Sequence, residues 1–456
     1  MRSNSSHGVF LANCLGMDII LTEEKLTYKV IGGILDFYIF LGPTPEDVAK
    51  QYQSIIGYPI LPPYWSLGFH QSRWGYESVN ELQDVIDNFN INELPLDTIW
   101  SDIDYMNEYR LWTLDPINYK SSNMKSFLKE LHDNNRQYVM IIDPGVKRDF
   151  LYSAYNDGIE ENIFIKKNNY TNDPVIGKVW PGLVSFIDFY NPNSNEFWKN
   201  HFKSFYNDNV KFNGIWIDMN EIANFCDGHC NLLEEEESND NFISNITSQF
   251  TCLCSNPEYY ELDFPPYQPG GIYPDSGTIS MSSIHYNNIE EYYLHNLYGY
   301  LESKSTKETL IEILNERPFV LSRSTFSGSG HHTAHWLGDN TATWKDMKDS
   351  ISGIINMNLF GITMVGADVC GFNGDTTTEL CTRWMQLGAF YPFYRNHNGI
   401  GYISQEPYVF GKSVTDICRK ALTTRYSLIS FYYSKLIDII TRYSHYKLSK
   451  KNHNWL

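Results

Sequence analysis

Gly214-Ile215-Trp216-Ile217-Asp218-Met219-Asn220-Glu221 is a short apolar run that stops at a carboxylate, an amide and a second carboxylate. Continuous apolar character suits a parallel strand covered on both faces. A charge placed where such a strand ends faces the loops at its C-terminal end, where barrel enzymes carry their chemistry. A plain strand followed by a polar turn has the same local pattern, and the surrounding chain separates the two.

From Tyr64 onward strand, loop and helix alternate, the signature of βα units around a parallel sheet. Eight strands are expected, near Ser66-Leu67-Gly68-Phe69-His70, Thr98-Ile99-Trp100, Val139-Met140-Ile141-Ile142, Ile215-Trp216-Ile217, Phe319-Val320-Leu321, His335-Trp336-Leu337, Thr363-Met364-Val365 and Phe390-Tyr391-Pro392-Phe393. Eight is the number that closes a (β/α)8 TIM barrel. Ser78 to Glu81 reads as a capping box opening a helix with Leu82, Ile86 and Phe89 on its face. Met124, Phe127, Leu128 and Leu131 mark the next helix, and Trp198, Phe202 and Phe205 a third. The last helix is expected from Val414 to about Ile440. Ile417, Leu422, Tyr426, Leu428, Ile429, Phe431, Tyr432 and Tyr433 make it more apolar than one buried stripe requires, so an apolar face without a partner is expected there.

The expected organisation is a β-rich segment and linker helix over 1–60, the α/β barrel over 61–440, and an irregular tail over 441–456. The linker helix carries Val48, Tyr52, Ile55 and Ile56 on one face and ends at Gly57. Loop insertions fall at about 147–194 and 224–284, the second containing the acidic run Glu234 to Glu237, which reads as a solvated loop.

A net charge of -19 over 456 residues, with pI near 5.1, would repel nucleic acid and anionic membranes, so neither is expected as a partner. Ile34 to Leu41, broken by Asp36, is far short of a membrane span. Met1 to Gly8 lacks the basic and apolar blocks of a signal peptide, yet Asn4, Asn169 and Asn245 head Asn-x-Ser/Thr sequons, and Asn169 and Asn245 are taken as glycosylation sites. Of eight cysteines, Cys226, Cys230, Cys252 and Cys254 cluster as disulfides or a zinc site. The Cys252-Leu-Cys254 spacing disfavours zinc and leaves the pairing open.

Just past the strands lie Trp74, Asp102, Asp143, Asp218, Arg323, Asp339, Asp368 and His397. Loop salt bridges could explain one or two of these. Five carboxylates with one guanidinium and one imidazole are what glycosidic-bond hydrolysis uses: an acid, a nucleophile or base, and acceptors for sugar hydroxyls. Asp102-Ile103-Asp104 lacks the further ligands and the glycine of a calcium loop, and Ser327-Gly328-Ser329-Gly330 lacks the lysine of a phosphate cradle, so no metal or cofactor is expected.

The run Gly214 to Glu221 resembles the nucleophile signature of glycoside hydrolase family 31, the α-glucosidases of the lysosomal and intestinal maltase type. Arg73-Trp74-Gly75-Tyr76, Asp102-Ile103-Asp104-Tyr105-Met106, Val179-Trp180-Pro181-Gly182, Ser322 to Phe326, His335 to Asn340, Gly366 to Phe372 and Arg395-Asn396-His397-Asn398 are similar to family motifs in the same order. The resemblance implies an exo-acting retaining α-glucosidase for maltose-like α-glucoside oligosaccharides, preceded by the end of an amino-terminal β-sandwich domain. It implies Asp218 as nucleophile and Asp339 as acid/base. Asp102, Ile103, Asp143, Arg323, Asp368 and His397 would surround the sugar, and Trp74, Trp180, Trp216, Met219, Trp336 and Phe372 would line the pocket. Asp339 is expected to be the protonated carboxyl, with Trp336 as the apolar surface that raises it. Ile217 matches the maltase type, where the glycan-trimming glucosidase of the endoplasmic reticulum has Asn. Cys370 and Cys381 match a disulfide of that type, implying the secretory pathway, lysosomal or extracellular. The carboxy-terminal β domains of the family have no counterpart here, so the alternative is a truncated inactive member that only binds carbohydrate or a partner protein.

Overall fold

The computed structural model describes residues 5–230 and 260–444. Among them, eight parallel strands form the barrel: β1 (Phe69–Gln71), β2 (Thr98–Ser101), β3 (Gln137–Ile142), β4 (Gly214–Ile217), β5 (Phe319–Ser322), β6 (Ala334–Trp336), β7 (Val365–Gly366) and β8 (Tyr394–Asn396). They pair in the order β7-β6-β5-β4-β3-β2-β1-β8. The remaining seam is bridged by the Phe393 N–H on the Val365 carbonyl and the Val369 N–H on the Arg395 carbonyl. Ile217 lies opposite Ile142 on one side and Ser322 on the other. The next residue of each strand, Asp143, Asp218 and Arg323, therefore leaves the sheet at one level.

Three expected strands are displaced, each for a local reason. Pro62 and Pro63 lead into a single 3-10 turn at Tyr64–Leu67, so β1 starts only at Phe69. Ile362 still closes the preceding helix through its N–H on the Met357 carbonyl, which delays β7 to Val365. Phe390 and Tyr391 close the helix Thr378–Gly388, and Pro392 has no N–H to pair, so β8 begins at Tyr394.

The helix Val79–Ile91 is capped by Ser78, which accepts from the Glu81 N–H, but the Glu81 carboxylate accepts from the Glu77 N–H at 2.6 Å and the expected box is only half formed. A complete box stands at Thr44 and Asp47, before the helix Pro45–Ile56. Ser121–Asp133 and Pro192–Asp208 bury Met124, Phe127, Leu128 and Leu131, and Trp198, Phe202 and Phe205. The long last helix, Lys412–Ser444, includes residues 441–444, which were expected to be irregular. Its apolar face is covered in part, with Phe431 and Ile437 exposed. Leu422 and Ile429 are buried, Tyr433 meets Tyr64 edge-on, Tyr432 donates to the Phe390 carbonyl, and of the eight residues named only Phe431 is exposed. Further exposed apolar surface lies on the amino-terminal strands, at Ile19, Leu21 and Ile39, and on the helix Trp344–Leu359, at Trp344, Ile351 and Ile355. No helix among the described residues is long and apolar enough to cross a membrane.

The interval after β3 holds a small antiparallel sheet, Gly145–Lys147, Gly177–Val179 and Gly182–Phe186, with the helix Ser153–Glu160. The acidic run, Asn4, Asn245, Cys252 and Cys254 lie outside the described residues. Where the chain returns, His285 is buried between two carboxylates, Nδ1 at 2.8 Å from Asp188 and Nε2 at 2.6 Å from Glu291. Burial alone would push the imidazole down, but these partners override it and hold it up to about 10. The same returning segment supports the loop after β4. Thr278 Oγ1 donates to the Ile222 carbonyl, and the Asn224 N–H to that of Gly277.

Candidate active site

Strands β2, β4, β6 and β8 each send one side chain into a common layer inside the barrel, the packing that alternate strands favour. Three are indoles, Trp100, Trp216 and Trp336, and the fourth is the Arg395 guanidinium, whose carbon lies 5.0, 4.6 and 5.3 Å from their ring centres. All four are buried. Trp216 and Trp336, expected to line the pocket, are thus 3% and 1% exposed and can present only an edge to a ligand.

Over this layer stand the polar groups. Asp102, Asp143, Asp218, Arg323 and His397 each follow a strand directly, Asp368 follows β7 by two residues, and Trp74 and Asp339 follow β1 and β6 by three. Arg323 is the hub. Its Nη1 lies 3.2 Å from Asp218, its Nε and Nη2 donate to Glu221 at 2.9 Å, and Nη2 also meets the Met219 sulfur at 3.3 Å. Asp102 accepts from the Ile103 N–H at 2.7 Å and lies 3.6 Å from His397 Nε2. Phe372 stacks on His397 at 5.1 Å. Asp368 accepts from Arg395 Nη2 at 2.8 Å. Trp180, in the turn between the strands Gly177–Val179 and Gly182–Phe186, packs edge-on against Trp74 at 5.2 Å and Phe225 at 4.9 Å, building an aromatic wall.

Burial raises every one of the five aspartates. Asp102 and Asp143 are pushed well above the carboxylate range, by burial first and then by neighbouring carboxylates. Asp218 is raised to about 6 by burial, with Arg323 pulling it back and Asp339 pushing it up. Asp368 is raised to about 7 by burial against the pull of Arg395. Asp339 is the most exposed of the five, yet burial by its surroundings still pushes it up, opposed by Arg323 and Arg395. The Trp336 indole is packed on Trp216 at 5.5 Å and on Arg395. Burial and the Arg395 charge push His397 well below its usual value, so it is a neutral imidazole. A carboxyl crowd served by two guanidiniums can hold both protonated and ionised members at once, which acid and nucleophile roles require. Asp143 Oδ1, Asp368 Oδ2 and the Nε1 groups of Trp216 and Trp336 have no partner among the described residues, leaving acceptors and donors for a polyhydroxylated ligand. No group of three or more His, Cys, Asp or Glu among the described residues could hold a metal ion.

Several residues here carried no role in the sequence reading. Glu221 was visible as the second carboxylate of the opening stretch, but its pairing with Arg323 needs the β4–β5 adjacency. Asn220 ties the same two loops, donating to Ser322 Oγ and accepting from the Ser324 N–H. Asn340 joins the β6 and β7 loops by donating to the Asp368 carbonyl and accepting from the Phe372 N–H. Met219, Ile222 and Cys370 adopt left-handed backbone, at φ of 54°, 57° and 81°, which nothing in their side chains announces. Cys370 and Cys381 form a disulfide, as do Cys226 and Cys230, and Asn169 is exposed.

Residues 59–435 match the family model described as the glycosyl hydrolases family 31 TIM-barrel domain. A probable alpha-glucosidase of Oryza sativa subsp. japonica is 44% identical over 441 residues, covering 95% of this chain and 46% of the relative. Alpha-xylosidase 1 of Arabidopsis thaliana is 42% identical over 435 residues, covering 94% of this chain and 47% of the relative. The crystal structure of a glucosidase II alpha subunit, Glc1Man2-bound, superposes with a TM-score of 0.81 at 30% identity, covering 97% of this chain and 45% of that one. The chain spans about half the length of the curated relatives it matches. With the barrel, the order of its motifs and the family model in agreement, the chain belongs to glycoside hydrolase family 31.

Proposed function

We propose that this domain is an exo-acting retaining α-glucosidase that removes terminal α-linked glucose from maltose-like oligosaccharides. The observation that carries the reading is Arg323, whose charge acts on both Asp218 and Asp339 while its guanidinium touches Asp218 directly. In the first step an Asp218 oxygen bonds to the anomeric carbon as the glycosidic C–O bond breaks, and Asp339 passes its proton to the departing oxygen. In the second, the Asp339 carboxylate takes a proton from water, the water oxygen attacks the anomeric carbon, and Asp218 leaves. Two inversions give net retention. Arg323 favours the ionised form of Asp218, while neutral His397 and the buried Asp102, Asp143 and Asp368 suit contacts with hydroxyls.

The aromatic wall of Trp74 and Trp180 supports stacking against a sugar face. The two disulfides and the exposed Asn169 sequon support a location in the secretory pathway, lysosomal or extracellular. Because the relatives include an alpha-glucosidase and an alpha-xylosidase at nearly equal identity, the test runs 4-nitrophenyl α-glucoside and α-xyloside side by side. Proton NMR of the first turnovers should show α-glucose appearing before mutarotation, with the glucoside preferred. β-Glucose as the first product, or preference for the xyloside, would overturn the reading.

A further inference from the structure

We infer that Arg395, which touches neither Asp218 nor Asp339, is a positioning residue that sets the place and charge of Asp368 in the site. The inference rests on the function proposed above. The side chain is 0% exposed, yet only Nη2 has a hydrogen-bond partner among the described residues, the Asp368 carboxylate at 2.8 Å; Nε and Nη1 have none. In place of hydrogen bonds the guanidinium has faces, those of Trp100, Trp216 and Trp336 around it and Phe393 at 5.7 Å. Ring quadrupoles attract a desolvated cation, so the cage offsets part of the cost of burial and fixes the plane of the fork.

The grip on Asp368 has two points. The Arg395 side chain holds its carboxylate, and the Arg395 carbonyl accepts from the N–H of the next residue, Val369, at 3.0 Å. The second of these, with the Phe393 N–H on the Val365 carbonyl, also closes the barrel between β7 and β8. The other charged groups acting on Asp368 are Asp339 and Asp218, both carboxyls that push it toward neutrality, so Arg395 is the cation among the groups facing it. Removing that cation leaves a buried aspartate facing only like charge, and such a group takes up a proton and becomes a donor where the site needs an acceptor.

The test is a double-mutant cycle on the purified chain with 4-nitrophenyl α-glucoside. Arg395→Met, which can fill the cage without charge, should lower kcat at least ~100-fold with a smaller change in KM and should move the acid limb of kcat/KM to higher pH by one unit or more. On an Asp368→Asn background the same change should cost no more than ~10-fold, because its one hydrogen-bonded partner is gone and only its longer-range pull on Asp339 and Asp102 remains. Arg395→Lys keeps the charge and should hold the acid limb near its wild-type position even where kcat falls, which separates the electrostatic role from packing. Losses that multiply in the double variant, or an Arg395→Met enzyme whose activity falls with its melting temperature at an unmoved pH profile, would overturn the inference. Should the wild type hydrolyse no α-glycoside, the same cycle is read on the Kd of 1-deoxynojirimycin by calorimetry. Coupling there keeps the inference and sinks the proposed activity, whereas a wild type that neither hydrolyses nor binds sinks both.

Discussion

Replacing His285 by Gln removes a buried cation from between Asp188 and Glu291, all three residues being 3% exposed or less. Gln carries both its donors on one nitrogen, where the imidazole presents two ring nitrogens to the two carboxylates, and it carries no charge, so the pair loses its cation and part of its hydrogen bonding in a dry site, a change that costs roughly 3–5 kcal/mol. The imidazole also links folding to pH. Its folded-state value of about 10 lies above the ordinary 6.5, so the group's contribution is complete below the unfolded value and is lost as pH rises through the folded one. That interval corresponds to about 5 kcal/mol as an upper figure, at 1.36 kcal/mol per pH unit. Urea unfolding of wild type and His285→Gln between pH 6 and 10.5 should show a gap of a few kcal/mol at pH 6 that narrows toward pH 10. Lysine and tyrosine titrations are common to both proteins and cancel in the difference. A gap that stays constant to pH 10.5, or wild-type and variant curves that coincide throughout, would refute the reasoning. Because Thr278, seven residues before His285, hydrogen-bonds the Ile222 carbonyl, activity should fade at a lower urea concentration than global unfolding in the variant.

Asp339→Ala should retain a larger fraction of activity on 4-nitrophenyl α-glucoside than on maltose, because an activated leaving group departs with little protonation, whereas Asp218→Ala should lose both; equal losses for Asp339→Ala on the two substrates would refute the acid assignment. Arg323→Met removes the cation that opposes the burial of Asp218. The acid limb of kcat/KM should therefore rise by about 1–3 pH units, costing roughly 10- to 1,000-fold in rate at pH 5, and an unmoved limb would show that Arg323 does not tune the nucleophile.

The sequence makes the barrel and its rim legible because both are local signals. A strand buried on two faces is an unbroken apolar run such as Ile215-Trp216-Ile217, and the residue after it has one place to go, the C-terminal mouth. That alone brings Asp143, Asp218 and Arg323 to one level and Asp102, which follows Ser101 opposite Met140, to the same mouth two residues lower. Non-local relations are hidden. The pairing of Glu221 with Arg323 depends on strand adjacency, and the strand displacement at Phe390 depends on where the preceding helix closes and on the missing N–H of Pro392. Reading the last helix as an uncovered apolar face held only in part, at Phe431 and Ile437, and for a non-local reason. Its partners, Tyr64 and Phe390, come from a 3-10 turn and a helix end that composition does not foretell.

The left-handed residues after Asp218 set backbone preference against side-chain packing and function at one address. Each costs roughly 1–2 kcal/mol relative to glycine in the same conformation, so a sequence chosen for backbone preference alone would carry Gly at 219 and 222. The side chains that stand there explain the difference. Met219 supplies the sulfur against Arg323 Nη2, and Ile222, with no exposed surface, anchors the loop from below. Glycine would relax the backbone and release the hub guanidinium together. A redesign that follows backbone preference at these two positions would therefore relieve that strain but empty two buried side-chain positions, at a cost of roughly 2–5 kcal/mol for Ile222 alone, while loosening the groups that aim the nucleophile, and this eight-residue stretch is better left out of any such library.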